Sequence, residues 1–255
     1  MKRASKPKRR PTLRDMPFAQ LVRTDPDLAK ARHECAAKSP ADRRAAAQWA
    51  YDSAMADHLF DAVLERIGQE DLPAERHDAG VLALAIDPLY APALLTVGSL
   101  EYQCGRVEAA MELFLTLPTL PQDEPDLVEI VDKAGDFLLD QKDYGNALRL
   151  YEAAAASAPE VATFWSGAGY CMGRLGRKED AVDAARRAAA LGPKSALRLS
   201  DLGWSLLEAG SYAEARSVLE QAVALAPAGY DLPRGNLAEL EKRIRAGRAV
   251  RKRQP

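Results

Sequence analysis

Pro159, Pro193 and Pro227 stand 34 residues apart, and the residues ahead of each repeat in the same register. Gly135, Gly169 and Gly203 share that spacing, as do Ala147, Ala181 and Ala215, and Ala154, Ala188 and Ala222. A fixed period of this length argues against one globular core. It predicts an array of stacked helical units, each burying its apolar face against its neighbours. Arrays of this kind present surfaces, so the period shifts expectation from chemistry towards binding.

One period has room for two helices of about fourteen residues, an ordinary globular length. A glycine inside a helix costs about 1 kcal/mol against alanine. Gly169 and Ala181 are therefore expected where the two helices of a unit cross closely. Gly176 and Gly210 fall at the turn between those helices, where the chain needs a left-handed residue. Each proline closes a unit because it cannot continue the second helix. Trp165, Tyr151, Tyr212 and Leu219 are the large residues expected to fill the space that the small ones leave.

The pattern resembles the tetratricopeptide repeat family. The unit at 128–161 carries Val131, Gly135, Tyr144, Ala147, Tyr151, Ala154 and Pro159 at the family's positions. The unit at 162–195 matches with Trp165, Gly169, Ala181, Ala188 and Pro193, but Ala185 stands where a large residue is usual. The unit at 196–229 matches with Leu199, Gly203, Tyr212, Ala215, Leu219, Ala222 and Pro227. Upstream, 91–124 keeps Leu94, Gly98, Gly105, Ala110 and Phe114, with its proline one place early at Pro121. A unit at 57–90 is degenerate: Ala83 and Pro88 fit, while Leu64 and Arg76 replace small residues. The resemblance covers about two thirds of the chain. It implies an all-α, right-handed superhelical solenoid of stacked antiparallel helix pairs.

Outside the array, Asp25-Pro26 and Ser39-Pro40 read as N-caps followed by proline at the first helical position. Asp42 completes a capping-box pattern with Ser39. Residues 17–56 are thus expected to form a helical pair or an eroded repeat, with a helix over 26–38 and another from 40. No Gly or Pro between 41 and 67 marks a turn into the next unit. Pro118, Pro121 and Pro125 lie in a junction longer than the repeat needs. Leu237, Leu240 and Ile244 share one face of 230–246, the form expected of a terminal capping helix.

The formal net charge of −2 conceals an asymmetry. Residues 1–14 and 242–255 each hold seven Lys or Arg and no acid, leaving 21 basic residues against all 37 acidic ones in the body. The ends, 1–16 and 247–255, are expected to be solvated basic tails. An alternative use for them is to bind nucleic acid or an anionic surface. No apolar run approaches the roughly 18 residues that span a bilayer, and the basic N-terminal stretch lacks the apolar run expected of a secretory signal. Cys35, Cys104 and Cys171 are odd in number and widely spaced, which points to a reducing compartment, the cytoplasm by default. A monomer is the default expectation.

The family resemblance also implies which residues face a ligand. The first helix of each unit lines a concave groove, which maps onto His58, Asp61, Glu65 and Gln69, then Leu95, Ser99, Tyr102 and Gln103. Next come Glu129, Asp132, Asp136 and Asp140, four carboxylates at helical spacing along one stripe. Thr163, Ser166, Tyr170 and Arg174 follow, then Leu197, Ser200, Trp204 and Glu208. Seven acids and one arginine make this an acidic, aromatic-lined groove. A branch of the family that grips chaperone tails uses lysines and an asparagine at such places, and these carboxylates would repel that ligand. The expected ligand is a basic or amphipathic peptide or helix of a partner protein, paired with the acids and packed on Tyr170 and Trp204.

Catalytic signals are poor. His33, His58 and His77 do not pair at metal spacing, and His33-Glu34 lacks the second histidine of a zinc peptidase helix. No glycine loop is built to cradle phosphate. Cys171, beside Gly169, reads as a small core residue. A non-catalytic adaptor with no metal and no cofactor is expected.

Overall fold

A computed structural model describes residues 12–65 and 73–251. The basic residues of 1–11 and 252–255, and Gln69, lie outside the described residues, as do the side chains of His58, Asp61 and Glu65. Among the described residues there are thirteen α-helices and no strand. The chain divides into two compact units, Met1–Ile130 and Val131–Pro255.

The N-terminal unit holds α1 (Phe18–Thr24), α2 (Pro26–Ala36), α3 (Pro40–Glu65), α4 (Pro73–Ile86), α5 (Ala91–Gln103) and α6 (Val107–Thr116). Asp25 caps α2, its side chain accepting from the backbone N–H groups of Asp27 and Leu28. Ser39 accepts from the N–H of Asp42 at 3.2 Å and donates to its carboxylate at 2.7 Å. The boundary expected at 56/57 falls inside α3, which runs unbroken for 26 residues. The reason is local: alanine-rich sequence with no Gly or Pro gives nothing to stop it. Consecutive helices then pack as antiparallel neighbours, α3 on α4, α4 on α5 and α5 on α6. Arg44 ties α3 to two later connections of the same unit. Its Nε donates to Asp87 at 2.9 Å and its Nη1 to Glu124.

The tail expected over 1–16 ends sooner than predicted. Leu13 is buried, and its carbonyl accepts from Arg106. Glu101 explains the strap. Its carboxylate is fully buried, and an unpaired charge there would be costly. Arg106 pairs with it, and the N–H of Phe18 at the start of α1 donates to it at 2.5 Å. The segment ahead of α1 is therefore held down by the charge it helps to satisfy.

After a 3₁₀ turn at Leu117–Thr119, the chain enters α7 (Leu127–Asp140), which leads into the C-terminal unit. That unit continues with α8 (Tyr144–Ser157), α9 (Ala162–Arg174), α10 (Lys178–Leu191), α11 (Ala196–Glu208), α12 (Tyr212–Leu225) and α13 (Leu232–Arg251). Helix starts recur at the repeat period, as the sequence predicts. Each turn inside a hairpin is a Schellman motif: Arg177 N–H donates to Met172 O, and Ser211 N–H to Leu206 O. Gly105, Gly176 and Gly210 supply the positive φ, and Lys142, at the same register, takes φ 60° without being glycine.

The small residues do two different jobs. A Cβ at Gly98 would lie 2.6 Å from the Phe114 ring, one at Gly135 2.2 Å from Tyr151, and one at Gly203 2.5 Å from Leu219. These glycines make room for the large residue of the second helix. At Gly169, whose partner is Ala185, the nearest atoms are the Ala181 carbonyl and the Ala184 Cβ, both at 3.4 Å. There the helices themselves close up, as the sequence predicts for Gly169 and Ala181. The last hairpin buries Leu199, Leu202, Leu206 and Leu219 against α13, whose Leu240 is fully buried with Leu237 and Ile244 beside it. The helix runs to Arg251, beyond the limit of 246 expected from its apolar face.

Candidate partner-binding face

Glu129, Asp132, Asp136 and Asp140 sit on α7 at spacings of three and four residues, so one side of that helix carries them all. They are not equivalent. Asp136, Asp140 and Glu129 are exposed, whereas Asp132 is half-buried. The Asp132 carboxylate accepts from the Tyr151 hydroxyl at 3.1 Å. Burial pushes the Asp132 carboxyl above its ordinary range, the Tyr151 hydrogen bond pulls it down, and neighbouring Asp136 pushes it up. Tyr151 itself is buried, its ring wedged where a Cβ at Gly135 or Gly167 would collide. One of the four acids thus serves the packing, and three are left facing solvent.

On α9, Tyr170 is 51% exposed. It meets the half-buried Tyr144 of α8 edge-on, with ring centroids 6.4 Å apart. The Arg174 guanidinium lies over the other part of this pair, 4.7 Å from the Tyr144 centroid. Two of the predicted residues, Tyr170 and Arg174, are therefore brought together on a third, Tyr144, which appears in the sequence only as a repeat-position aromatic. Tyr102, on α5 in the N-terminal unit, is half-buried.

On α11 the same register is covered. Arg243 of α13 lies over the Trp204 ring, 5.7 Å from its centroid, and its Nη2 is 2.7 Å from Glu208. Its Nε reaches Glu239 on its own helix at 3.2 Å. Next to them, Asn236 donates to Ser200, which is fully buried, at 2.9 Å. Trp204 keeps 39% exposure. It is part of the contact with the last helix rather than an open anchor. The signal that could have revealed this is the i, i+4 pair Glu239 and Arg243, which places a basic residue on the helix face adjoining α11.

Cys171 is fully buried, and its thiol is pushed up to about 12, chiefly by burial. A thiol so hard to ionise is a poor nucleophile. Among the described residues no three of His, Cys, Asp and Glu gather where they could hold a metal ion. Among them, too, no helix is long and apolar enough to cross a membrane.

Comparison with known proteins finds similarity to one family. The Tetratricopeptide repeat sequence model matches 133–196 and 200–239. The Small glutamine-rich tetratricopeptide repeat-containing protein 2 of Mycosarcoma maydis is 30% identical over 124 residues, 48% of this chain and 35% of that protein. The chain thus spans about a third of the length of this curated relative. Among solved structures it is similar to the Sgt2 TPR domain from Aspergillus fumigatus, at 23% identity and a TM-score of 0.45, over 51% of this chain and 84% of that one. It is also similar to a thermophilic TPR protein of Thermus thermophilus, at 21% identity and a TM-score of 0.44, over 74% of this chain and 98% of that one. The family acts in protein–protein interaction, and its fold is generally a non-catalytic scaffold. Over the matched segments, less than half of its length, the chain is similar to the tetratricopeptide repeat family.

Proposed function

We propose that this chain captures a basic or amphipathic segment of a partner protein on the face carried by α7 and α9. The supporting observation is internal. On α11 the chain already holds one of its own arginines in the way this reading requires, with Arg243 over an aromatic ring and against a carboxylate. The neighbouring positions keep the same chemistry, and among the described residues no arginine or lysine lies over Tyr170. Tyr170 is an exposed aromatic, and Asp136 and Asp140 are exposed acids. A ligand arginine would pair with those acids through charge-assisted hydrogen bonds, and an apolar ligand residue would cover Tyr170. Glu129, Asp132 and Arg174 lie behind this core set. Trp204 takes a smaller part, because Arg243 already covers it.

The tails offer a weaker case for nucleic acid. Lys242 and Arg243, counted among the basic residues of the C-terminal end, are spent on Glu239 and Glu208. The test is titration of a labelled peptide containing Arg, Lys and Leu, at low and at high salt. Raising salt is expected to weaken binding markedly, and Asp136→Lys with Asp140→Lys to weaken it about tenfold or more. Salt-independent binding, or binding indifferent to the double substitution, would refute the proposal.

A further inference from the structure

A pocket of about 380 Å³ opens in the N-terminal unit, well apart in sequence from the acidic stripe. Its apolar wall comes from Phe18 and Val22, one turn apart on α1, from Leu84 at the end of α4, and from Pro88. Val22 and Leu84 are buried and form the floor. Arg23 and Arg32, both exposed, complete the lining. The volume falls in the range of small-molecule sites, which are mostly apolar with a few placed polar groups.

The two arginines lack the partners that such side chains usually find. Arg23 donates its Nε to the Ala19 carbonyl at 3.0 Å, which steadies the stem and leaves its terminal nitrogens to other acceptors. Among the described residues Arg32 has no hydrogen-bond or ion-pair partner. The acids on the surrounding elements are committed elsewhere. Asp25 caps α2, Glu34 pairs with Lys30, and Asp87 holds Arg44 and the N–H of Leu89. Positive charge thus stands at an apolar hollow, and among the described residues no carboxylate pairs with it.

We infer that this pocket binds a small amphiphilic anion, a medium-chain carboxylate. Its chain lies on Val22, Leu84, Phe18 and Pro88, and its head group is held by Arg23 and Arg32. Guanidinium suits a carboxylate because its planar fork can donate two parallel hydrogen bonds. No other polar side chain lines the hollow, so the ligand carries its polarity at one end. At about 30 Å³ per heavy atom, the share a water molecule takes in the liquid, the volume admits roughly a dozen heavy atoms. Decanoate is that size. The acidic stripe on α7 would repel this ligand, so the two sites call for opposite chemistry.

The test is titration of the full chain with decanoate, below its micelle concentration, followed by amide chemical shifts. Shifts confined to α1, α2 and the end of α4 are expected. Decanol should bind at least about fivefold more weakly, and Arg23→Gln with Arg32→Gln should weaken decanoate about tenfold while leaving decanol unchanged. These arginines are exposed, and an unchanged melting temperature checks that the double variant folds. Equal binding of decanol and decanoate, decanoate binding that survives the double substitution, or no shifts at these helices would overturn the assignment. A peptide ending in a leucine carboxylate is the last arm. If it moves the same amides and decanoate does not, the site takes a protein terminus and the small-ligand assignment falls.

Discussion

Helices α9 and α11 carry an aromatic at the same repeat position, Tyr170 and Trp204, and the chain treats the two differently. Tyr170 looks outward over Tyr144 and Arg174. Trp204 lies under Arg243 of α13, with Glu208 closing the ion pair. The difference comes from position in the array, since an inner unit is followed by another repeat and the last one by a helix that must finish the stack. Register assigns a residue to a face. The next element in the chain decides whether that face is open.

The comparison can be broken first at Leu240, the apolar centre of the cover on α11. Leu240→Ala is expected to cost about 2–5 kcal/mol, as for other fully buried leucines, measured by urea denaturation. An equal loss from Tyr170→Ala would contradict the contrast, because that side chain is half exposed. The glycines come next. Gly203→Ala drives a methyl into Leu219 and should cost about 1–3 kcal/mol by overpacking. Gly169→Ala meets only ordinary contacts and should lie between neutral and a gain of about 1 kcal/mol from helix propensity. If both glycines cost the same, the two hairpins are packed alike.

A third prediction uses pH. Asp201, on α11, has its carboxyl pushed up to about 6 by burial, with Arg198 pulling the other way. The folded state therefore holds this proton more tightly than the unfolded chain does. The stability that protonation contributes is lost as pH rises from about 4, the unfolded value, to about 6. Asp201→Asn should flatten the stability profile across that window and raise stability at pH 7 relative to the parent, by on the order of 1–2 kcal/mol. At this register α9 has Gly167, so only α11 has an acid there to titrate. A profile unchanged by the substitution would remove Asp201 from the account. The smallest effect is expected from the arginines. Arg243→Ala should cost about 1 kcal/mol and open Trp204 to a fluorescence quencher, whereas Arg174→Ala should cost less than about 0.5 kcal/mol and leave tryptophan quenching alone.

The repeated hairpins were readable because their packing rule is local and periodic. Glycine at a crossing, glycine at a turn and proline after the second helix each leave a mark at a fixed distance. The features that were not readable depend on single long-range partners. Leu13 is one apolar residue in a basic stretch, and only the buried Glu101 and its partner Arg106 account for its anchoring. Lys142 takes a left-handed turn that its residue type disfavours, because the Schellman bonds around it fix the backbone. The absence of Gly and Pro from 41–67 was visible, and its meaning, one continuous helix to Glu65, needed the coordinates. At the candidate face, the acidity of α7 was written in its spacing. That Asp132 answers to Tyr151, and Glu208 to Arg243, was not.

Tyr151 belongs to more than its own hairpin. Its ring occupies space kept clear by Gly135 on α7 and by Gly167 on α9. Cutting the chain between Glu160 and Ala162, where the period suggests a clean joint, would strip one wall from that ring. A shortened protein meant to retain the acidic stripe should therefore run through α9, because the repeat drawn by sequence and the smallest piece that can stand alone do not end at the same residue.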